Sequence, residues 1–220
     1  MGEQRIEIET PKGPVTGLWT EVQGARAVVA IAHGAGGNMH NGLLDGFAAA
    51  LNAATYATLR FNFPYSEQGR KSPDKADVLI ATWKAVVDEA HRRAPDLQIY
   101  AAGKSMGGRM ASMAAAEGLK VNGLVFIGYP LHPPGAPEKI RDEHLYKVRV
   151  PMLFLQGTDD AFARWDLLED VVKKLGNWAQ LHKVEGGNHS FRVKGARKPD
   201  DETGRLLGSV AARFVQGAQI

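Results

Sequence analysis

Short apolar runs and longer amphipathic stretches alternate along this chain. Runs near Arg5 to Glu9, Val15 to Thr20, Ala27 to Ala32, Ala57 to Phe61, Leu97 to Ala102, Gly123 to Gly128, Met152 to Gln156 and Gln180 to Val184 predict strands. Between the later runs the period changes to that of a helix. After Ser72-Pro73, which reads as a cap and first-turn pair, Ala76, Leu79, Ile80, Trp83, Val86, Val87 and Ala90 recur on one helical face. Arg164 to Leu175 predicts a second helix, and Leu206, Leu207, Val210, Ala211, Phe214 and Val215 mark a last one. These stripes are read as core-facing rather than as binding surfaces. Alternation of strand and helix, with no linker-like stretch, predicts one α/β domain over residues 1–220. Its sheet should have about eight mostly parallel strands, covered by helices on both faces.

The junction of one strand with the next helix carries the strongest chemical signal. Gly103-Lys104-Ser105-Met106-Gly107 fits G-x-S-x-G, a turn sharp enough to expose a serine hydroxyl at the end of a sheet. Glycine on either side lets strand and helix approach closely. The backbone N–H of Met106, at the start of that helix, faces the place where an anion would form on an attacked carbonyl. A phosphate-binding loop shares the letters Gly-Lys-Ser, but it needs a glycine five residues before the Gly-Lys pair, and Gln98 stands there within a strand.

A serine hydroxyl needs a base, and the base needs an orienting carboxylate. The expected chain order is serine, acid, histidine, each on a loop after a strand. Gly157-Thr158-Asp159-Asp160 follows the strand ending at Gln156 and offers two acids. Asp160 is favoured, because Gly-x-x-Asp leaves room for a turn, with Asp159 capping the next helix or bracing the loop. His189, on the Gly186-Gly187 loop after the last strand, is placed to be the base. His33 ends an apolar strand and opens the glycine-rich loop Gly34-Ala35-Gly36-Gly37. It is read as a brace for that loop, whose Ala35 N–H, or that of Gly36, supplies a second oxyanion donor. His132 lies in the proline loop Tyr129 to Gly135, from which it can face the site. His40, His91, His144 and His182 have solvated or packed roles by default.

The composition excludes several classes. The chain has 220 residues, 44% hydrophobic and 23% charged, with a net charge of +3. The dense basic stretch, Arg192 to Lys198, reads as a solvated loop, so no nucleic-acid partner is expected. With no cysteine there is no disulfide framework and no thiolate site, which fits a cytoplasmic setting. No metal-ligand spacing, signal peptide or membrane-spanning segment is found, and no cofactor is expected.

These motifs together resemble the α/β-hydrolase superfamily, and within it the small lidless branch related to dienelactone hydrolases. The narrower likeness is to hydrolase-like proteins of the testis-expressed and KANL type. It is carried by His33-Gly34-Ala35-Gly36, Arg60-Phe61-Asn62-Phe63-Pro64-Tyr65, Gly103 to Arg109, Gly128-Tyr129-Pro130-Leu131-His132-Pro133-Pro134-Gly135, Gln156-Gly157-Thr158 and Gly187-Asn188-His189-Ser190-Phe191. The resemblance implies Ser105 as nucleophile, Asp160 as acid and His189 as base. The chain departs from the group at Asp159-Asp160-Ala161, where Asp-Pro is usual and two adjacent carboxylates stand instead.

Lidded relatives insert a cap between the strands at Leu124 and Met152. Here that interval holds only prolines, charges and one short predicted helix around Glu138 to His144, so an open cleft is expected. Its walls are predicted to be Phe63, Tyr65, Tyr129 and His132, from the loops Phe63 to Gly69 and Tyr129 to Gly135. Such a cleft suits small or exposed acyl substrates, giving a serine hydrolase acting on esters or thioesters. A small peptidase with the same triad, or a non-catalytic binding module on the same fold, are the alternatives.

Overall fold

The computed structural model describes residues 2–217. Eight strands form one sheet: β1 (Gly2–Ile8), β2 (Val15–Glu21), β3 (Ala27–Ala32), β4 (Ala57–Phe61), β5 (Gln98–Lys104), β6 (Gly123–Ile127), β7 (Met152–Gly157) and β8 (Ala179–Val184). Their order across the sheet is β1-β2-β4-β3-β5-β6-β7-β8. β1, β2 and β4 pair antiparallel, and every pair from β4 to β8 is parallel. The central runs lack polar alternation because both faces are covered: every residue of β3, β4, β6 and β7 is buried.

The helices are α1 (Gly42–Ala53), α2 (Pro64–Glu67), α3 (Ala76–Arg93), α4 (Met106–Ala116), α5 (Trp165–Leu175) and α6 (Asp200–Val215). On one face α1 and α6 enclose Val29, Ile31, Val125, Leu153 and Leu155. On the other, α3, α4 and α5 cover Val28, Ala30, Phe126 and Phe154. β3, β5, β6 and β7 thus send alternate side chains to two separate cores.

Three local expectations are corrected. Ser72 and Pro73 do not start α3, whose N-cap is Lys75 and whose first residue is Ala76; the loop runs on past the proline. No helix forms over Glu138 to His144, where four prolines upstream and a run of charges leave irregular chain, and a single 3-10 turn follows at Leu145–Lys147. The loop after β4 is also not open chain, since Pro64 at the first helical position closes the single turn of α2. No cap lies between β6 and β7.

One feature of the strand order positions the site. From β3 the chain crosses to β4 on one side, and then to β5 on β3's other side. The carboxyl ends of β3 and β5 therefore open a crevice where connections leave in opposite directions, the place where ligands bind in open α/β sheets.

Candidate active site

Ser105 sits between β5 and α4 with φ +50° and ψ −116°, a conformation L-residues rarely adopt. Its N–H donates to the Ile127 carbonyl at 3.1 Å, which ties the turn to the end of β6. The glycines make the turn sterically possible. A Cβ on Gly103 would lie 2.3 Å from the backbone nitrogen of Gly108, and one on Gly107 would lie 2.5 Å from the His33 carbonyl oxygen. No side chain fits at either place.

Two other loops converge on the hydroxyl. His189 Nε2 is 2.8 Å from Ser105 Oγ, and its Nδ1 is 2.7 Å from Asp160 Oδ2. Asp160 is 4% exposed and is further held by Gln156 Nε2, which donates to Oδ2 at 2.6 Å, and by the Phe162 N–H, which donates to Oδ1 at 2.8 Å. A carboxylate with that set of donors can take the Nδ1 proton of His189 as a hydrogen bond, leaving Nε2 as the acceptor for the serine O–H. The competing acid, Asp159, is exposed; its carboxylate accepts from Thr158 Oγ1 at 3.3 Å, and it does not cap α5.

Ser105 opens into a cavity of about 340 Å³. Ala35 and Met106 share its wall, and the backbone N–H groups of both have no acceptor among the described residues. Gly36, left-handed at φ +71°, follows in the same loop but is not part of that wall. His33 braces the loop: its Nε2 accepts from the Phe63 N–H at 3.1 Å and its Nδ1 lies 2.9 Å from the Gly34 carbonyl. Burial holds its pKa below the usual histidine value, in keeping with a neutral ring.

Residues 25–216 match a family model described as an alpha/beta hydrolase domain. The chain belongs to the alpha/beta hydrolase family. An alpha-beta serine hydrolase homologue from Coxiella burnetii superimposes with a TM-score of 0.78 at 21% identity, over 98% of each chain. A serine hydrolase without a lid from Xanthomonas campestris gives 0.74 at 21%, over 97% of this chain and 93% of that one. Dienelactone hydrolase from Anabaena variabilis gives 0.76 at 21%, over 100% and 99%. At that identity the likeness is one of fold. Two Mycobacterium tuberculosis proteins whose names propose phosphoribosyl transferases are 27% identical over 198 residues, 88% of this chain. The chain spans 43% of their length.

The predicted lining of this hydrolase-family site is corrected. Phe63, Tyr65 and Tyr129 have no exposed surface and His132 has 3%; none borders the cavity. Phe63 and Tyr65 pack edge-on against His33, while Tyr129 packs against Phe126 and Phe154. His132 Nε2 accepts from the Arg164 N–H at 2.8 Å, and the His132 N–H donates to the Phe162 carbonyl, so this residue fixes a neighbouring loop. The apolar wall is instead built from Leu79, Met106, Met110, Pro130 and Phe162. Phe162 also lies against the His189 ring at 4.2 Å between centroids.

Four further polar residues belong to the site. Gln156, fully buried, donates to Asp160 and accepts from the Tyr129 N–H at 2.7 Å; a glutamine ending an otherwise apolar strand was its signal. Lys104 Nζ donates to the His189 carbonyl at 2.7 Å, and burial lowers its pKa to about 8 against the opposing pull of Asp160. Arg109 and Arg141 line the cavity. Arg109 stands four residues after Ser105, so helical spacing returns it to that face. Nothing in the sequence around Arg141 distinguishes it.

A larger groove of about 810 Å³ between β8 and α6 contains none of the predicted site residues. Among the described residues, no group of three or more His, Asp or Glu side chains is arranged to hold a metal ion, and no helix is long and apolar enough to cross a membrane.

Proposed function

We propose that the protein is a serine hydrolase that cleaves carboxylic esters or thioesters of small or exposed acyl groups, within a single domain spanning residues 1–220. The observation that carries this reading is the unbroken chain of hydrogen bonds from Asp160 through His189 to Ser105, ending in a cavity.

His189 Nε2 takes the Ser105 proton as Oγ attacks the carbonyl carbon, and Asp160 stabilises the imidazolium. The N–H groups of Met106 and Ala35 are free to receive the oxyanion. His189 then returns the proton to the departing alcohol or thiol as the C–O or C–S bond breaks. Water attacks the acyl enzyme by the same route, releasing the acid and restoring Ser105.

Labelling with a fluorophosphonate probe tests the reading. Wild type should be labelled, while Ser105→Ala and His189→Ala should not. A folded wild type that takes no label, or a Ser105→Ala variant that hydrolyses esters at the wild-type rate, removes it in favour of a binding module.

A further inference from the structure

Acyl transfer by Ser105, His189 and Asp160 leaves two cationic side chains in the cavity without a task. Arg109 lies on α4 one turn beyond Ser105, and Arg141 comes from the connection between β6 and β7; both line the cavity that Ser105 also lines. Neither guanidinium has a hydrogen-bond or ion-pair partner among the described residues, and Arg109 Nε is shut off from water with no acceptor. On the surface Arg70, Arg92, Arg93, Arg164 and Arg192 each pair with a carboxylate, and the unpaired Arg197, Arg205 and Arg213 are exposed to water, whereas the unpaired Arg109 and Arg141 are half-buried.

The charges around them do not neutralise the pair. Asp74 is the acid on the cavity wall; one oxygen takes Arg70 Nη2 at 2.6 Å, and the other is buried without a partner. Asp142, next to Arg141, accepts from Tyr146 OH at 2.7 Å. His144 is bonded to Ser112 Oγ and to Tyr129 OH, and burial together with the nearby Arg109 charge keeps it neutral, with a pKa of about 4. Burial also lowers the Arg109 pKa; Tyr129 opposes this, and the neighbouring Arg141 charge adds a smaller lowering.

A partly desolvated, unpaired guanidinium is costly, and a ligand anion removes that cost by supplying the missing acceptors. The planar fork of arginine matches carboxylate and phosphate oxygens. A cavity of about 340 Å³ admits only a small molecule, so any anionic group bound there sits near the carbonyl that Ser105 attacks.

We propose that the site selects esters or thioesters bearing an anionic group, which Arg109 and Arg141 hold while Ser105 attacks the carbonyl. This rests on the serine hydrolase reading. The anion is a spectator: the Oγ–C bond forms, the C–O or C–S bond breaks, and the proton passes from Ser105 through His189 to the leaving group.

Four p-nitrophenyl and aryl esters test it. They are p-nitrophenyl butyrate (neutral), p-nitrophenyl hemisuccinate (carboxylate on the acyl side), 4-acetoxybenzoate (carboxylate on the leaving group) and 4-acetoxyphenyl phosphate, the last two compared with neutral phenyl acetate. At least one anionic ester should exceed its neutral partner in kcat/KM by about tenfold or more at low salt, and the ester that does so identifies where the anion sits. That ratio should fall by about tenfold in Arg109→Gln or Arg141→Gln, and Arg109→Lys should recover part of it. Equal rates for neutral and anionic esters, or a ratio unchanged in both glutamine variants, overturn the proposal.

Binding supplies a second readout, independent of turnover. Monomethyl succinate or 4-acetoxyphenyl phosphate titrated into Ser105→Ala should bind saturably, and binding should weaken in Ser105→Ala/Arg109→Gln; no binding of either overturns the proposal. Labelling judges the hydrolase reading, whereas the ratio and the titration judge the anion site, so the two can fail separately.

Discussion

The ammonium of Lys104 donates to the backbone carbonyl of His189 at 2.7 Å, one residue before the serine that the His189 ring contacts. A Cβ on Gly128 would lie 3.2 Å from Lys104 Nζ, 3.5 Å from that carbonyl oxygen and 3.7 Å from Asp160 Oδ2, so the three groups gather around one glycine. The residue preceding Ser105 thereby anchors the loop that brings the histidine to it.

Replacing Lys104 by methionine leaves the His189 carbonyl without its donor and lets the loop drift. A misplaced base lowers kcat, here by about 10- to 10²-fold on a neutral ester, measured by steady-state kinetics. The variant also carries a signature in pH. Because the folded-state pKa is lowered from 10.5 to about 8, the unfolded chain binds more protons between those values, and wild-type stability rises with pH across that window. Wild type should therefore gain on Lys104→Met in denaturant unfolding between pH 8 and 10.5, with no such trend below pH 7.

The adjacent acids should separate cleanly. Asp160→Asn lets the amide hold the ring in the wrong tautomer and should lower kcat by about 10³- to 10⁴-fold. Asp159→Asn changes an exposed side chain bonded, among the described residues, to Thr158 alone, so its rate should stay within a few-fold of wild type. An equal loss in both would transfer the acid role or divide it.

Gln156 is a joint between two parts of the site. Gln156→Leu should lower stability by about 1 to 3 kcal/mol, because the buried Tyr129 N–H loses its acceptor, and should lower kcat as Asp160 loses a donor. Gln156→Glu keeps the acceptor but sets a second carboxyl against Asp160. It should recover stability less well at neutral pH than under mild acid, as chemical denaturation at several pH values would show.

Steric demand at the turn is a separate matter from chemistry. Gly107→Ala drives a methyl to within 2.5 Å of the His33 carbonyl and should cost about 2 kcal/mol or more in urea unfolding. Gly2→Ala meets nothing within 4 Å and should stay within about 0.5 kcal/mol of wild type.

Most strands were legible because buried parallel strands are short apolar runs with turn residues at their ends, and the helical stripes of α3 and α6 repeat at a different period. The ends of elements were less so. Ser72-Pro73 has the chemistry of a helix start, yet α3 begins at Ala76, since a cap motif states what a turn tolerates and not where the core begins. β1 likewise runs from Gly2, ahead of the expected Arg5, because pairing with Glu21 at the far end of β2 extends it.

By itself the sequence determined the alternating α/β plan and marked Ser105, Asp160 and His189 as candidates, because turn geometry and chain order leave local signatures. Only the tertiary structure decided which side chains face the cavity. Phe63, Tyr65 and Tyr129 follow strands at the correct end of the sheet, but their rings are buried in the core, while Arg109 and Arg141 line the cavity with the serine. An aromatic ring at a strand end gains hydrophobic free energy from burial in either direction, so local pattern does not reveal its heading. The direction is set by how loops from β3, β5, β6, β7 and β8 pack against one another, and no local stretch of sequence contains that information.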